Sequence, residues 1–258
     1  MSNVRRHPTP AEMRDLRYGR LLGNHVPQQL DRLFLISLRR KYLYCPVSKV
    51  ANSSIKAFLY EAELRDNGFP KTARDFNTAQ VHNVLFGPLL QPYQLPEALL
   101  EEVLYGDEYM RFLFVRHPVD RLVSCYLDRV KTAGSVPNKV IQRALGVKDP
   151  DDIKFGDFVG VVAGQKLKDM NPHWRPVYYE ACCDKLSYDR VLRFENLHDD
   201  LKSLLAELYP RVSESIDVEL NLSPAKTAAG GRVAEFVTPE IRSMIEEIYA
   251  KDFAAFGY

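Results

Sequence analysis

Short apolar runs and longer stretches with helical periodicity succeed one another along most of this chain. The first clear pair begins with the aromatic and apolar run 42–47, which is typical of a buried parallel strand. Apolar positions from Ile55 onward then recur at helical spacing, until a glycine and a proline interrupt them. The polar turn between the two ends in Ser53 and Ser54, residues of a type that commonly opens helices. This stretch therefore predicts a strand, a tight turn and a helix in succession.

The same alternation continues towards the C-terminus. Apolar runs predict strands over residues 112–115 and 191–194. Start and stop residues delimit predicted helices over residues 96–105, 155–162 and 197–209, and a last helix that begins at Thr238. A further helix is predicted after Pro118, with Leu122, Val123, Tyr126 and Val130 on it and Gly134 at its end. Strands that alternate with helices are typical of an α/β protein, in which a mostly parallel central sheet is flanked by helices on both faces. We expect a single domain over residues 1–258, in which residues 1–30, broken by prolines, form an N-terminal arm.

The overall charge excludes partners that would be held by bulk electrostatics. The 258 residues contain 35 lysines and arginines and 34 acidic residues, which leaves a formal net charge of +1. Binding to nucleic acid or to a membrane surface is therefore not expected, and any recognition of an anion must be local.

No segment of the sequence indicates export or membrane insertion. The N-terminal basic pair is not followed by an apolar signal core, and the apolar run 33–38 is too short to span a bilayer. Four cysteines show no metal-ligand spacing, and the adjacent Cys182 and Cys183 are expected to be buried thiols rather than a disulfide. A cytoplasmic protein is the simplest expectation.

The turn at residues 48–54 is a candidate anion site. A strand, a small polar turn and a helix aim free backbone N–H groups at one point, and phosphate commonly binds there. Lys49 adds a positive side chain to the same loop. The alternative is an ordinary strand-to-helix turn that binds nothing. The glycine-rich pattern of nucleoside-triphosphate P-loops is absent.

A second polar segment, residues 116–126, follows the strand predicted at 112–115. Arg116 stands at the carboxyl end of that strand, where open α/β sheets place their ligands, and Ser124 lies two turns into the next helix. A guanidinium and a hydroxyl there would hold a second phosphate. The alternative is that Arg116 and Arg121 are solvated surface charges.

Together the two segments resemble motifs of the sulfotransferase superfamily, in its carbohydrate (Golgi-type, family 2) branch. Residues 48–56 resemble the family's 5′-phosphosulfate loop, and residues 116–126 match every fixed position of its 3′-phosphate motif Arg-x-Pro-x-x-Arg-x-x-Ser-x-Tyr. Weaker matches are the segments 171–176, 188–197 and 252–258. The resemblance covers roughly residues 42–258 and implies a P-loop-like sulfotransferase fold.

The chain also departs from the family's pattern. Ser48 replaces a usual proline, Ile55 replaces a frequent tryptophan, and Ala51 stands where glycine is frequent. Because alanine resists positive φ, we expect the loop to turn with ordinary dihedrals or through Asn52. The membrane anchor and lumenal cysteine pattern of Golgi members are missing, which suggests a soluble relative of bacterial type.

The resemblance implies 3′-phosphoadenylyl sulfate (PAPS) as donor and implies roles for individual residues. Sulfuryl transfer spreads charge over three oxygens, so Lys49 is assigned to the bridging oxygen on which leaving-group charge develops. Arg116 and Ser124 are assigned to the 3′-phosphate, and no metal is required. The residues expected to bind the 5′-phosphosulfate are Lys49, Val50, Ala51, Asn52, Ser53 and Ser54.

The acceptor hydroxyl also needs a base, and His82 is the first candidate. It follows a short apolar run and lies between the two phosphate motifs along the chain, as the base does in several sulfotransferases. His173 is the rival, and His117 is expected to be structural. Trp174 either stacks on a ligand or packs in the core, packing being the expected role. Lys56 and residues 39–41 either attract anions or form a solvated face, which is the expected role.

These observations predict an enzyme that moves a sulfuryl group from PAPS to a hydroxyl, most simply on a carbohydrate. Two alternatives stay open: a P-loop-like kinase using ATP, and a non-catalytic nucleotide-binding protein on the same scaffold. The acceptor itself is not predicted, because its pocket is expected to be built from the loop-rich regions 66–98 and 135–172.

Overall fold

The central feature of the fold is one four-stranded sheet. The computed structural model describes residues 17–19, 21, 25, 27–83, 87–218 and 229–258, so most of the predicted N-terminal arm lies outside the described residues. Within those ranges the strands are Leu35–Ser37 (β1), Tyr42–Cys45 (β2), Met110–Val115 (β3) and Arg190–Arg193 (β4), in the spatial order β1-β2-β3-β4. β1 is antiparallel to β2, whereas β2, β3 and β4 are parallel. The predicted α/β class with a mostly parallel sheet is confirmed.

Helices connect and cover the strands. The longer ones within the described ranges are Asn52–Asp66 (α1), Glu97–Tyr105 (α2), Pro118–Cys125 (α3), Val136–Leu145 (α4), Phe155–Ala163 (α5), Leu197–Leu208 (α6), Ala229–Phe236 (α7), Pro239–Ile248 (α8) and Ala250–Phe256 (α9). Single helical turns occur at Pro27–Leu30, Thr78–Val81 and Val177–Glu180, and short 3₁₀ turns at Ala73–Asp75, Pro92–Gln94, Pro150–Asp152, Leu167–Asp169, Phe194–Asn196 and Ser213–Ser215.

The two middle strands are central because they are apolar on both faces. All four residues of β2 are buried, as are the last five of β3, which suits a sheet covered on both sides. Tyr44 of β2 stacks on Phe112 of β3, with ring centroids 5.2 Å apart. At the edge, by contrast, Val191 of β4 is exposed.

Several elements differ from the sequence-based predictions. Residues 35–37 form the edge strand β1, which the sequence did not predict, and α4 was likewise not predicted. The helix predicted between Pro118 and Gly134 is instead α3 followed by a π-helical turn at Tyr126–Val130, where Lys131 N–H bonds the carbonyl of Tyr126 at 2.9 Å. Apolar spacing does not distinguish the two because the π turn stands at the end of the helix, where no further turn follows to reveal its change of phase.

The sheet topology decides where the two candidate motifs lie. β2 and β3 are parallel neighbours, and Cys45 at the end of β2 pairs with Leu113, two residues before the end of β3. The loops that follow these strands therefore leave the sheet side by side, at the carboxyl ends of the strands. A second core cluster, separate from the one around the sheet, is formed largely by α3, the π-helical turn and α5. The cysteines in the described ranges are free thiols, as expected for Cys182 and Cys183, of which Cys182 is fully buried and Cys183 half-buried.

Candidate active site

The first candidate loop turns through two residues with left-handed backbone. Lys49 has φ +72°, and Ala51, at the position preceding α1, has φ +63° and ψ +29°. The expectation that the loop would avoid positive φ at alanine is therefore wrong. Tertiary contacts outweigh the local preference: guanidinium groups bond the carbonyls of Ser48 and Lys49, and the hydroxyl of Tyr44 donates to Asn52 Oδ1 at 3.2 Å.

The amino end of α1 has Ala51 at its N-cap position, a residue whose side chain cannot cap the helix. Asn52, Ser53 and Ser54 form the first turn, and no side chain caps this end of the helix. The expectation that the hydroxyl pair opens the helix needs correction, since Ser53 and Ser54 lie inside the turn rather than at its cap. The first N–H groups of a helix have no intrahelical acceptor, so they are available to an anion in front of the loop.

Arg116 joins the second motif to the first. Its Nη1 donates to the carbonyl oxygen of Lys49 at 3.2 Å, and its guanidinium lies over the ring of Phe194 at 4.2 Å. Arg116 is 6% exposed, and its Nε is buried without a hydrogen-bond acceptor. Burial lowers the pKa of Arg116, as expected for a cation withdrawn from water. A buried, incompletely satisfied guanidinium favours an anion as neighbour.

Arg121 is a structural clamp rather than a surface charge. It is 1% exposed and donates to three backbone carbonyls, those of Ser48 (3.0 Å), Arg175 (3.0 Å) and Pro172 (3.2 Å). These hydrogen bonds connect the first loop to the segment 171–175. The alternative that Arg116 and Arg121 are solvated surface charges is therefore wrong. Ser124 of the same motif is also buried, one turn further along α3.

The side chain of Lys49 is held by a carboxylate that the sequence did not single out. Its Nζ lies 2.6 Å from Asp128 Oδ2 on the π-helical turn, and Arg129 Nε lies 3.1 Å from the same oxygen. The Lys49 and Asp128 side chains are 13% and 30% exposed. Asp128 lies four residues after Ser124, and this spacing, which places both on one helical face, is the signal that could have identified it.

His82 reaches the amino end of α1. Its Nε2 lies 2.9 Å from the hydroxyl oxygen of Ser53. Partial desolvation, followed by the positive charges of Lys56 and Arg129, lowers the pKa of His82 to about 4. Lys56 itself is buried, and desolvation lowers its pKa to about 8, so the expectation of a solvated face is wrong for this residue.

His173 belongs to a later segment of the chain, and like His82 it lies near the charge of Arg129. Its Nδ1 bonds Asn171 Oδ1 at 2.7 Å, which leaves Nε2 as the other ring nitrogen. Burial, followed by the charges of Arg129, Lys49 and Arg121, lowers its pKa to about 4. Both candidate bases therefore lie in the electrostatic field of Arg129.

His117 and Trp174 have structural roles, as expected. The backbone N–H of His117 donates to Glu195 Oε1 at 2.8 Å, and its ring packs edge-on against Phe253 and Tyr258. The closing segment of the chain thus supports the Arg116 loop. Trp174 is fully buried, donates to Gln165 Oε1 at 2.8 Å and contacts core residues, so it does not stack on a ligand.

This arrangement defines a class of protein: an α/β protein in which two loops follow neighbouring parallel strands and are joined by the hydrogen bond from Arg116 to the carbonyl of Lys49. A family model described as "Sulfotransferase family" matches residues 32–258. The match spans most of the chain, and the chain belongs to this family. The resemblance noted in the sequence is confirmed.

Curated relatives agree with this assignment. The chain is 26% identical to carbohydrate sulfotransferase 14 of Mus musculus, an alignment covering 89% of this chain and 61% of the relative. It is also 26% identical to carbohydrate sulfotransferase 11 of Rattus norvegicus (90% and 68% covered) and to carbohydrate sulfotransferase 12 of Mus musculus (90% and 61%). The chain spans about three fifths of the length of the first of these relatives. No solved structure gives a significant match.

The structure adds one finding about membrane-spanning helices. In the ranges that the structure describes, no helix combines the length and the apolar character needed to cross a bilayer.

Proposed function

We propose that this protein is a sulfotransferase that moves a sulfuryl group from PAPS to a hydroxyl of a carbohydrate. The observation that carries the proposal is the hydrogen bond from Arg116 Nη1 to the carbonyl of Lys49, which joins the two phosphate motifs into one site. A nucleotide phosphorylated at both its 3′ and 5′ positions has two anionic ends, and the joined motifs offer a cationic partner to each. Names of the relatives support a carbohydrate as acceptor.

In the proposed reaction the acceptor oxygen forms a bond to sulfur while the bond from sulfur to the 5′-phosphate oxygen breaks. Lys49 stabilises the charge that develops on that leaving oxygen, and the N–H groups and hydroxyls of residues 51–54 hold the 5′-phosphate. Arg116 and Ser124 hold the 3′-phosphate. Binding at both ends keeps the sulfuryl group in line with the acceptor. Positive side chains supply the charge, and the proposal requires no metal.

We propose that His82 is the base that removes the proton from the acceptor hydroxyl. It touches the proposed 5′-phosphate loop through Ser53. With a pKa of about 4 the imidazole is neutral at pH 7 and able to take a proton. Bases are most effective when their pKa is near the working pH, and the negative charge of a bound donor raises the pKa in that direction. His173 is the competing assignment, because it lies in the field of Lys49.

The donor is tested by ligand-dependent thermal stability. A ligand that binds only the folded state raises the unfolding temperature, so 3′-phosphoadenosine 5′-phosphate should stabilise the protein more than ATP at equal concentration. Equal stabilisation by ATP would favour a kinase and contradict the proposal.

Catalysis is tested by Lys49→Ala, assayed with radiolabelled PAPS against a panel of glycans, lipids and small alcohols. We expect transfer to fall by about 10²-fold or more, whereas affinity for 3′-phosphoadenosine 5′-phosphate should largely survive because the 3′-phosphate contacts remain. Lys139→Ala, at an exposed lysine on α4, is the matched control. Unchanged turnover in the Lys49 variant would remove this lysine from the mechanism.

The base is tested by comparing His82→Ala with His173→Ala. Loss of a general base typically costs about 10²–10⁴-fold in rate. We expect this loss in the His82 variant, and a wild-type rate there would refute the assignment.

A further inference from the structure

The ion pair between Lys49 and Asp128 connects the two halves of the site through their side chains. Its 2.6 Å separation is that of a charge-assisted hydrogen bond, and both partners are partly buried. Lys49 sits on a backbone with positive φ, which fixes the direction in which its side chain leaves the loop. Asp128 meets it from the π-helical turn, a kind of irregularity that is frequent at functional sites.

Asp128 also serves a second cation. Arg129 Nε lies 3.1 Å from the same carboxylate oxygen that accepts from Lys49. One carboxylate is thus shared by two positive groups, and both of these groups act electrostatically on His173. Without Asp128, the carboxylate that both Lys49 and Arg129 contact would be gone, and the repulsion between the two cations would displace the lysine.

We propose that Asp128 is the positioning residue of Lys49: it holds the ammonium group where the leaving oxygen of the donor arrives, and it yields part of that contact when the donor binds. This inference rests on the proposed function and adds to it a carboxylate that acts through the lysine. Because both anions use one ammonium group, the carboxylate and the donor oxygen lie within roughly 6 Å of each other. Asp128 therefore orients Lys49 for turnover and at the same time opposes binding of the anionic nucleotide.

These two effects have opposite signs, and this makes the proposal testable. In Asp128→Asn the side-chain shape is kept and the negative charge is lost. We expect turnover to fall at least about tenfold, since a displacement near 1 Å of a group at the reacting centre can cost about 10²-fold. We also expect 3′-phosphoadenosine 5′-phosphate to bind about threefold more tightly, because one like charge near its phosphate is removed. A merely structural role would lower both quantities together.

The experiment measures turnover with radiolabelled PAPS and nucleotide affinity by calorimetry, in the full chain. Asp151→Asn is the matched control, because Asp151 pairs with Lys131 at 3.3 Å but is 88% exposed. It should leave both quantities within twofold of wild type. Asp128→Glu should restore part of the turnover, since the longer carboxylate can still reach Lys49.

A double-mutant cycle shows whether Asp128 acts through Lys49. In a Lys49→Ala background, adding Asp128→Asn should change the residual turnover by less than about twofold, because the group being positioned is already gone. Full additivity, or parallel loss of turnover and nucleotide affinity in the single Asp128→Asn variant, would overturn the proposal. The wild-type arm separates the two failures: a wild type that neither binds the nucleotide nor transfers sulfate refutes the proposed function instead.

Discussion

Replacing Ala51 by glycine tests the geometry of the anion loop directly. Ala51 has φ +63° and ψ +29°, a left-handed conformation that costs a residue with a Cβ about 1–2 kcal/mol and costs glycine almost nothing. The same substitution at Ala57, in the interior of α1, relieves no strain. Both variants lose one methyl group and add the same freedom to the unfolded chain, so comparing them cancels the contribution of the unfolded state.

The magnitudes follow from the two environments. Ala57 is 7% exposed, so its glycine variant loses about 0.8 kcal/mol of methyl burial and about 1 kcal/mol of helix propensity. Ala51 is only partly buried, and the strain relieved there offsets its own losses. We expect the Ala51→Gly variant to exceed the Ala57→Gly variant by about 2 kcal/mol in unfolding free energy. For a chain of this size that corresponds to roughly 4–8 °C in Tm.

Urea denaturation and calorimetry of the two variants and the wild type provide the measurement. Nucleotide affinity should be retained in Ala51→Gly, since the backbone N–H groups of the loop keep their directions. Equal destabilisation by the two substitutions would refute the left-handed conformation of Ala51.

Three further predictions concern the binding site and the scaffold. Arg116→Lys should weaken 3′-phosphoadenosine 5′-phosphate by at least about tenfold, through loss of a forked, charge-assisted contact, while affecting adenosine 5′-phosphate little; equal weakening in calorimetric titrations would contradict the 3′-phosphate assignment. Burial lowers the pKa of His25 to about 4, so the unfolded state binds more protons between about pH 4 and 6.5, and roughly 2 kcal/mol of stability should be lost from pH 7 to pH 5. Urea titrations of a His25→Gln variant should lack this part of the pH dependence. Asp252 is buried and accepts the N–H groups of Val177 and Tyr178 at 2.8 Å each, so Asp252→Ala should cost about 3 kcal/mol and Asp252→Asn less, and equal losses would show that the carboxylate oxygens are not what matters.

Local pattern was sufficient for much of the fold. The strands at 112–115 and 191–194 were predicted nearly at their observed bounds, because apolar runs of that length between turn residues have few other stable conformations. Thr238 caps α8 as expected, accepting the N–H of Ile241. Asn196 stands at the N-cap position of α6, but its side chain makes no capping hydrogen bond, so a suitable residue type at that position does not guarantee the bond.

Elements whose stability comes from distant partners were harder to predict. β1 is only three residues long and exists through pairing with β2, a contact that no local period reveals. The π-helical turn and the left-handed backbone at Ala51 are likewise imposed by surrounding contacts against local preference. Local sequence preferences therefore do not predict strained backbone conformations, because contacts with distant parts of the structure hold these conformations in place.

For the site, the sequence by itself determined which side chains the two proposed phosphate motifs contain and in which order the motifs occur, because residue type and spacing are properties of the sequence. Tertiary structure alone decided that Arg116 reaches the carbonyl of Lys49, that Lys56 is buried, and that Asp128 holds the lysine. The contacts of Arg116 and Asp128 with Lys49 depend on the parallel pairing of β2 with β3, which brings together groups separated by about seventy positions. Charge pairing across such a distance leaves no periodic trace in a sequence, because it is fixed by the shape of the whole sheet and not by neighbours along the chain.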